Sequence, residues 1–239
     1  MYRVPYQPYY VQPVPQLYSY PYPCPYPYPV APTFYHPYMS TPEDMRWSNK
    51  KATKPADCWN RAEVELNNLW RLVWEQHGAW TRMAIMSIAA GTPDETATVN
   101  RLLRNPGDTA AVLEPYYGEA AANRFKQLLT DHFELAVDLV KAAKAGEATK
   151  AADIEAKWYK NADEIAAFLS SINPYWNEAA FRKMLHDHLG FVKDEAVQQL
   201  NQQYEQSIAT YDKMEQQILD MADHFTRGMT QQFPAKFGC

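Results

Sequence analysis

From about Thr53 onward the sequence keeps a helical period and meets few residues able to stop a helix, which restricts the chain to a core of packed helices. The breakers are Gly91-Thr92-Pro93, Asn105-Pro106-Gly107, Gly146 and Asn173-Pro174. No stretch alternates apolar and polar residues at the period of two that a half-buried strand needs. A first helix is predicted from an N-cap at Asp57 to Ala90, closed by the Gly-Thr-Pro breaker. Short helices fit TPDETATVNRLLRNPGD, with Asn105-Pro106-Gly107 as a turn. A second long helix runs from about Gly118 to Ala145 and a third over roughly 148–172. The last begins near Asn177 and keeps its period to about Gln232, too long for one compact helix, so it is expected to bend, protrude or break. The fold class is all-α: residues 53–239 form an antiparallel four-helix bundle with a short helical capping segment.

Residues 1–52 read as a separate tail. Twelve of the 18 prolines and 11 of the 17 tyrosines fall in residues 1–42, where Arg3 is the one Lys, Arg, Asp or Glu. Proline at alternate positions, as in YPYPCPYPYP, removes backbone donors and favours polyproline II or disorder. Such a disordered Pro/Tyr-rich tail is either a spacer or an adhesive arm that contacts protein partners or drives self-assembly, since tyrosines on a stiff uncharged backbone offer stacking faces and hydrogen-bonding tips. Tails of spore-coat and other surface-layer proteins are similar in composition. The net charge of −5 provides no positive field for a phosphate backbone, which argues against nucleic acid as a partner. No apolar run reaches the roughly 18 residues of a membrane span, and MYRVPYQPYY has no apolar stretch of the signal-peptide kind. A soluble, cytoplasmic protein is expected, or alternatively one of the spore coat or cell surface. Cys24, Cys58 and Cys239 are scattered and suggest neither a disulfide framework nor a zinc knuckle.

Three octets share one shape: WRLVWEQH (70–77), FKQLLTDH (125–132) and FRKMLHDH (181–188) each begin with an aromatic residue and end with histidine. Tracing by threes and fours puts His77 on a stripe with Trp70, Val73, Trp74 and Thr81. His132 likewise falls with Phe125, Leu128 and Leu129, and His188 with Phe181, Met184, Leu185 and Glu195. Phe125, Leu129, Asp131, His132 and Asp138 recur as Phe181, Leu185, Asp187, His188 and Asp194 at an offset of 56, the mark of a repeated helical hairpin. Counting outward from the turns places Asn161 at the same height. His77, His132 and His188 are therefore candidate ligands of a divalent transition metal such as Zn, Cu or Fe, with Asn161 beside them and Asp131 or Asp187 as outer acceptors. The alternative is a buried polar layer that fixes helix register. A ferritin-type di-iron centre is not indicated, because it needs several core glutamates and paired Glu-x-x-His motifs. Arg82, with Arg101 and Arg104 near the bundle mouth, is a candidate binder of an anionic cofactor group; the alternative, commoner for such arginines, is pairing with surface carboxylates.

HGAWTRMAI, NRLLRNP, EPYYG, LLTDH, WYKNADEIAAFLSSINPYW and MADHFTRGMTQQFPAKF, which together span about residues 60–237, resemble an uncharacterised family of small all-helical proteins from bacteria and some archaea. The resemblance implies the helical fold and supplies no activity. Some members carry the label acetylglutamate kinase, but amino-acid kinases have strands and a Gly-rich phosphate loop, and this chain has the pattern of neither. The expected function is a non-catalytic helical bundle that binds a metal ion or small ligand through the three histidines. The alternative is a structural or surface-assembly protein whose tail makes the contacts. An enzyme with a histidine as general base and Arg82 near a developing anion is the third reading, for which no nucleophile stands at a suitable spacing.

Overall fold

The computed structural model describes residues 60–237, all within the compact unit Lys54–Cys239. The expectations about the tail, Asp57 and the three cysteines concern positions outside the described residues. Six α-helices follow in order: α1 (Arg61–Ala90), α2 (Glu95–Leu102), α3 (Asn105–Lys144), α4 (Ala148–Ile172), α5 (Glu178–Leu200) and α6 (Tyr204–Gln232), then a 3₁₀ turn at Pro234–Lys236. Among the described residues there is no strand, and no helix is long and apolar enough to cross a membrane.

The helix ends follow local chemistry. Asn60 caps α1 by accepting from the Glu63 amide at 2.9 Å, and Asn177 caps α5 by accepting from the Ala180 amide at 2.9 Å. Asn105-Pro106-Gly107 is not the turn expected but the first turn of α3, because proline's fixed φ and missing N–H suit a helix start. Helix α3 consists of two arms, 105–117 and 119–144, that meet at Gly118, whose φ of 81° and ψ of 168° are open to glycine alone. The long final segment breaks at Gln202, between α5 and α6.

These corrections turn the expected four-helix bundle into three helical hairpins. Arg82 meets Glu195 where His77 meets His188, so α1 and α5 run parallel. Lys144 at the end of α3 donates to the Ile88 carbonyl near the end of α1, so the second arm of α3 runs the same way. The returning strokes are α2 with the first arm of α3, then α4, then α6; Arg71 pairs with Asp223 while Arg82 lies over Tyr211. The turns at the top of the hairpins share one geometry at spacings of 55 and 56 residues. Gly91, Gly146 and Gln202 have φ of 67°, 73° and 59°. Beside them the amides of Thr92, Glu147 and Gln203 close on the carbonyls of Ser87, Ala142 and Gln198 at 3.1, 3.0 and 2.8 Å. The core is layered by the same repeat: Trp70, Phe125 and Phe181, one per hairpin, all meet Phe225, with centroids 4.5, 6.0 and 5.2 Å away.

Gln202 is the one non-glycine at this turn position. Left-handed backbone costs an L residue about 1–2 kcal/mol, and glycine gives back about half of that through its freer unfolded chain. Gln202→Gly is expected to stabilise the protein by about 0.5–1 kcal/mol in urea unfolding. A loss of stability would show that the Gln202 side chain matters more than its backbone.

Candidate functional site

The middle layer of the bundle is built from the same element in each hairpin. A side-chain amide on the returning helix donates to the carbonyl four residues before a histidine: Asn105 to Val73 at 2.8 Å, Asn161 to Leu128 at 3.1 Å and Gln217 to Met184 at 2.7 Å. Each carbonyl keeps a second lone pair beyond its helical bond, and the amide takes it. His77, His132 and His188 are all buried, 5 %, 4 % and 2 % exposed, as the apolar stripes imply.

The amides decide which ring nitrogen carries hydrogen. Because the Asn161 and Gln217 nitrogens must face carbonyls, their oxygens face the rings and can only accept. His132 therefore donates from Nδ1 to Asn161 Oδ1 at 2.6 Å, and His188 from Nδ1 to Gln217 Oε1 at 3.1 Å. Both rings keep their Nε2 lone pairs. His188 Nε2 lies 3.2 Å from His77 Nε2, so His77 supplies the N–H there and accepts from the Thr81 hydroxyl at Nδ1, 3.4 Å away. His77 also stacks on Phe133, with centroids 4.4 Å apart and planes 12° from parallel.

All three imidazoles are held neutral. Burial pushes His132 down to about 3, with the Asn161 bond pulling the other way, and His188 down to about 4, opposed by Gln217. Burial, followed by the nearness of His188 and His132, holds His77 well below the ordinary histidine value. The three rings line one cavity of about 10 Å³, the size of a single water. Its walls repeat too: Thr81, Ala136 and Val192 stand one turn beyond the histidines, and Leu102 and Trp158 occupy matching places on two returning helices. Trp158 Nε1, and Trp74 Nε1 beside the layer, are buried with no hydrogen-bond partner among the described residues.

Asn161 thus stands beside His132, and the three histidines share a cavity. Among the described residues, however, no group of three His, Cys, Asp or Glu side chains is spaced to hold a metal ion as it stands. Arg82 does not join the layer; it donates to Glu195 at 2.5 Å, its guanidinium lying over Tyr211. Glu195 is fully buried, and burial outweighs the pull of Arg82 to push its carboxyl up to about 7. Asp131 and Asp187 are not the outer acceptors: each sits one residue, some 100° of helix, before its histidine. They instead accept from Gln127 and Lys183. That role belongs to amides on the neighbouring helix. Gln217 and Asn105 went unnoticed in the sequence, although the 56-residue offset applied forward and backward from Asn161 lands on both.

Comparison of the chain with protein-family models finds no match, and neither does comparison with curated proteins or with solved structures.

Proposed function

We propose that the protein is a non-catalytic helical bundle that binds one transition-metal ion, Zn, Cu or Fe, through His77, His132 and His188. The observation that carries this reading is the meeting of one neutral imidazole from each of three repeats at a single water-sized cavity. Two of the three donors already have the spacing of a shared ion. Two nitrogens at zinc's bond length of about 2.05 Å and a tetrahedral angle stand about 3.3 Å apart; His77 and His188 present theirs at 3.2 Å. Amide acceptors behind His132 and His188 orient those ligands as carboxylates or carbonyls do in other histidine sites. The cavity leaves no space for a small ligand larger than water, and the ion requires His132 to close on the other two.

Metal analysis of purified protein, beside a variant with His77, His132 and His188 all changed to alanine, tests this. One equivalent of metal is expected in the wild type and none in the variant, with a chelator lowering the wild-type unfolding temperature. Absence of bound Zn, Cu, Fe and Co, with an unfolding temperature indifferent to chelator, would sink the proposal.

A second reading has its own support, since the hydrogen bonds from Thr81 through His77, His188 and Gln217 to Met184 form an unbroken chain without any ligand. On that reading the layer fixes helix register, the bundle is a scaffold, and residues 1–42 make the protein's contacts. Deleting them then abolishes assembly or localisation and leaves the helical content unchanged; normal assembly without them rejects it.

A further inference from the structure

The three hairpins repeat one plan, so two of them show what the rising helix of a hairpin presents to solvent in this protein. On the outer face of α1, Leu69, Leu72, Met83 and Met86 are between 39 and 53 % exposed. The places of Leu72 and Met83 are held by Gln127 and Asp138 in the second repeat and by Lys183 and Asp194 in the third, all of them exposed. Helices α3 and α5 thus follow the ordinary rule for a solvated face. Helix α1 breaks it with four large apolar side chains on one line.

That line has the form of a coiled-coil seam. Leu69, Leu72, Gln76, Ala79, Met83 and Met86 alternate spacings of three and four residues, as the a and d positions of a heptad do. Trp70, Val73, Trp74 and His77 meanwhile turn the opposite side of α1 into the core. A stripe of two positions per heptad is narrower than the face a helix gives to its own core, and it suits one further helix.

The order of the side chains selects that helix. The spacing reads the same in both directions about a point between positions 77 and 78. Against an antiparallel copy, Leu69 therefore lies across from Met86, Leu72 from Met83 and Gln76 from Ala79. Long meets long in the outer layers, and glutamine meets alanine in the central ones, so each layer is filled. A parallel copy would set Gln76 against Gln76 and Ala79 against Ala79, leaving one crowded polar layer and one gap. Gln76 accepts from Arg101 at 3.1 Å, so its oxygen enters the contact already bonded. Charge agrees with this register. Glu75, exposed and beside Glu215, comes close in height to Arg82 of the second copy, which keeps part of its side chain at the surface. The two stand on the flank where like positions of antiparallel helices adjoin.

We infer that α1 pairs antiparallel with α1 of a second copy of this chain about a two-fold axis, covering Leu69, Leu72, Met83 and Met86 of both. The symmetry is that of an isologous dimer, in which one patch serves both copies. One helix from each side makes a contact smaller than a standard interface, so the dimer is reversible.

The test is sedimentation of the full-length protein over a concentration series, for the wild type, Leu72→Lys, Met83→Glu, an equimolar mixture of those two, and the double variant. Both side chains lie at the surface, and unchanged helical circular dichroism confirms that each variant folds. The wild type is expected to dimerise. Each single variant should dimerise at least about 30-fold more weakly, the loss expected when a central anchor of an interface is removed. In the mixture the introduced lysine faces the introduced glutamate across the axis, so heterodimers form; in the double variant the pair occurs twice and the dimer returns. A double variant that stays monomeric overturns the antiparallel register. Single variants as dimeric as the wild type show that copies meet elsewhere, and a monomeric wild type shows that the face is covered by another part of its own chain or by a different protein; either result overturns the proposal.

Discussion

Acidification from pH 7 to pH 4.5 is expected to cost the metal-free protein several kcal/mol of stability, through its buried histidines. The folded values of His132, about 3, and His188, about 4, lie below the ordinary 6.5. Between those limits the unfolded chain binds protons that the folded chain refuses, so stability is complete above pH 6.5 and is lost as pH falls. Each pH unit costs about 1.4 kcal/mol per histidine, or about 5 kcal/mol for these two at pH 4.5. His77 acts in the same direction. Glu195 opposes them. Its carboxyl, pushed up to about 7, takes a proton more readily in the folded state. Its contribution is therefore present at low pH and lost as pH rises through 4.5 to 7. On acidification it returns roughly half of what His132 and His188 remove. Urea unfolding across this range should show a net fall, and Glu195→Gln, which lacks the compensation, a steeper one. A flat profile in both proteins would mean that the histidines are not buried and neutral.

Gly228→Ala is expected to be the more damaging of two apparently similar glycine substitutions. A Cβ at Gly228 would stand 1.9 Å from Trp176 Nε1 and 2.3 Å from its Cδ1. Trp176 is 2 % exposed and packed among Tyr117, Phe181 and Phe225, so its indole has nowhere to retreat. Overpacking of this kind costs about 3 kcal/mol or more, against the roughly 1 kcal/mol that alanine adds to a helix interior. At Gly78 the added Cβ meets the Ile218 Cδ1 methyl at 2.5 Å, the far end of a flexible side chain, although Ile218 is itself fully buried. Gly78→Ala should therefore cost less than Gly228→Ala. If the two variants unfold at the same urea concentration, the tight seat of Trp176 against α6 is incorrect.

How far the sequence could be read depended on whether the deciding contact was local. Gly91, Gly146 and Asn173 end helices where expected, because a positive φ or a following proline stops a helix whatever lies around it. Pro106 misled, since proline suits a turn and a helix start equally well. The break at Gln202 carries neither glycine nor proline, yet its place in the 56-residue repeat marks it as the equivalent of Gly146. The repeat also held Asn105 and Gln217, which periodicity alone could not reveal because a polar residue on a stripe has no meaning until its partner is known.

The sequence by itself determined that the described chain is helical, that three histidines face inward, and that they recur at one spacing, because helical period is a property of neighbours along the chain. Only the tertiary structure decided the rest: three hairpins rather than four helices, Arg82 held by Glu195, Asp131 and Asp187 turned outward, and the ring hydrogens assigned. Each of these depends on an atom supplied by a different helix. The tautomers of His132 and His188 follow from amides 29 residues away, anchored in turn by carbonyls of the histidines' own helices. A helical stripe specifies direction to within about 100° of arc per residue. Hydrogen bonds require tenths of an ångström, and packing between helices alone sets distances that fine.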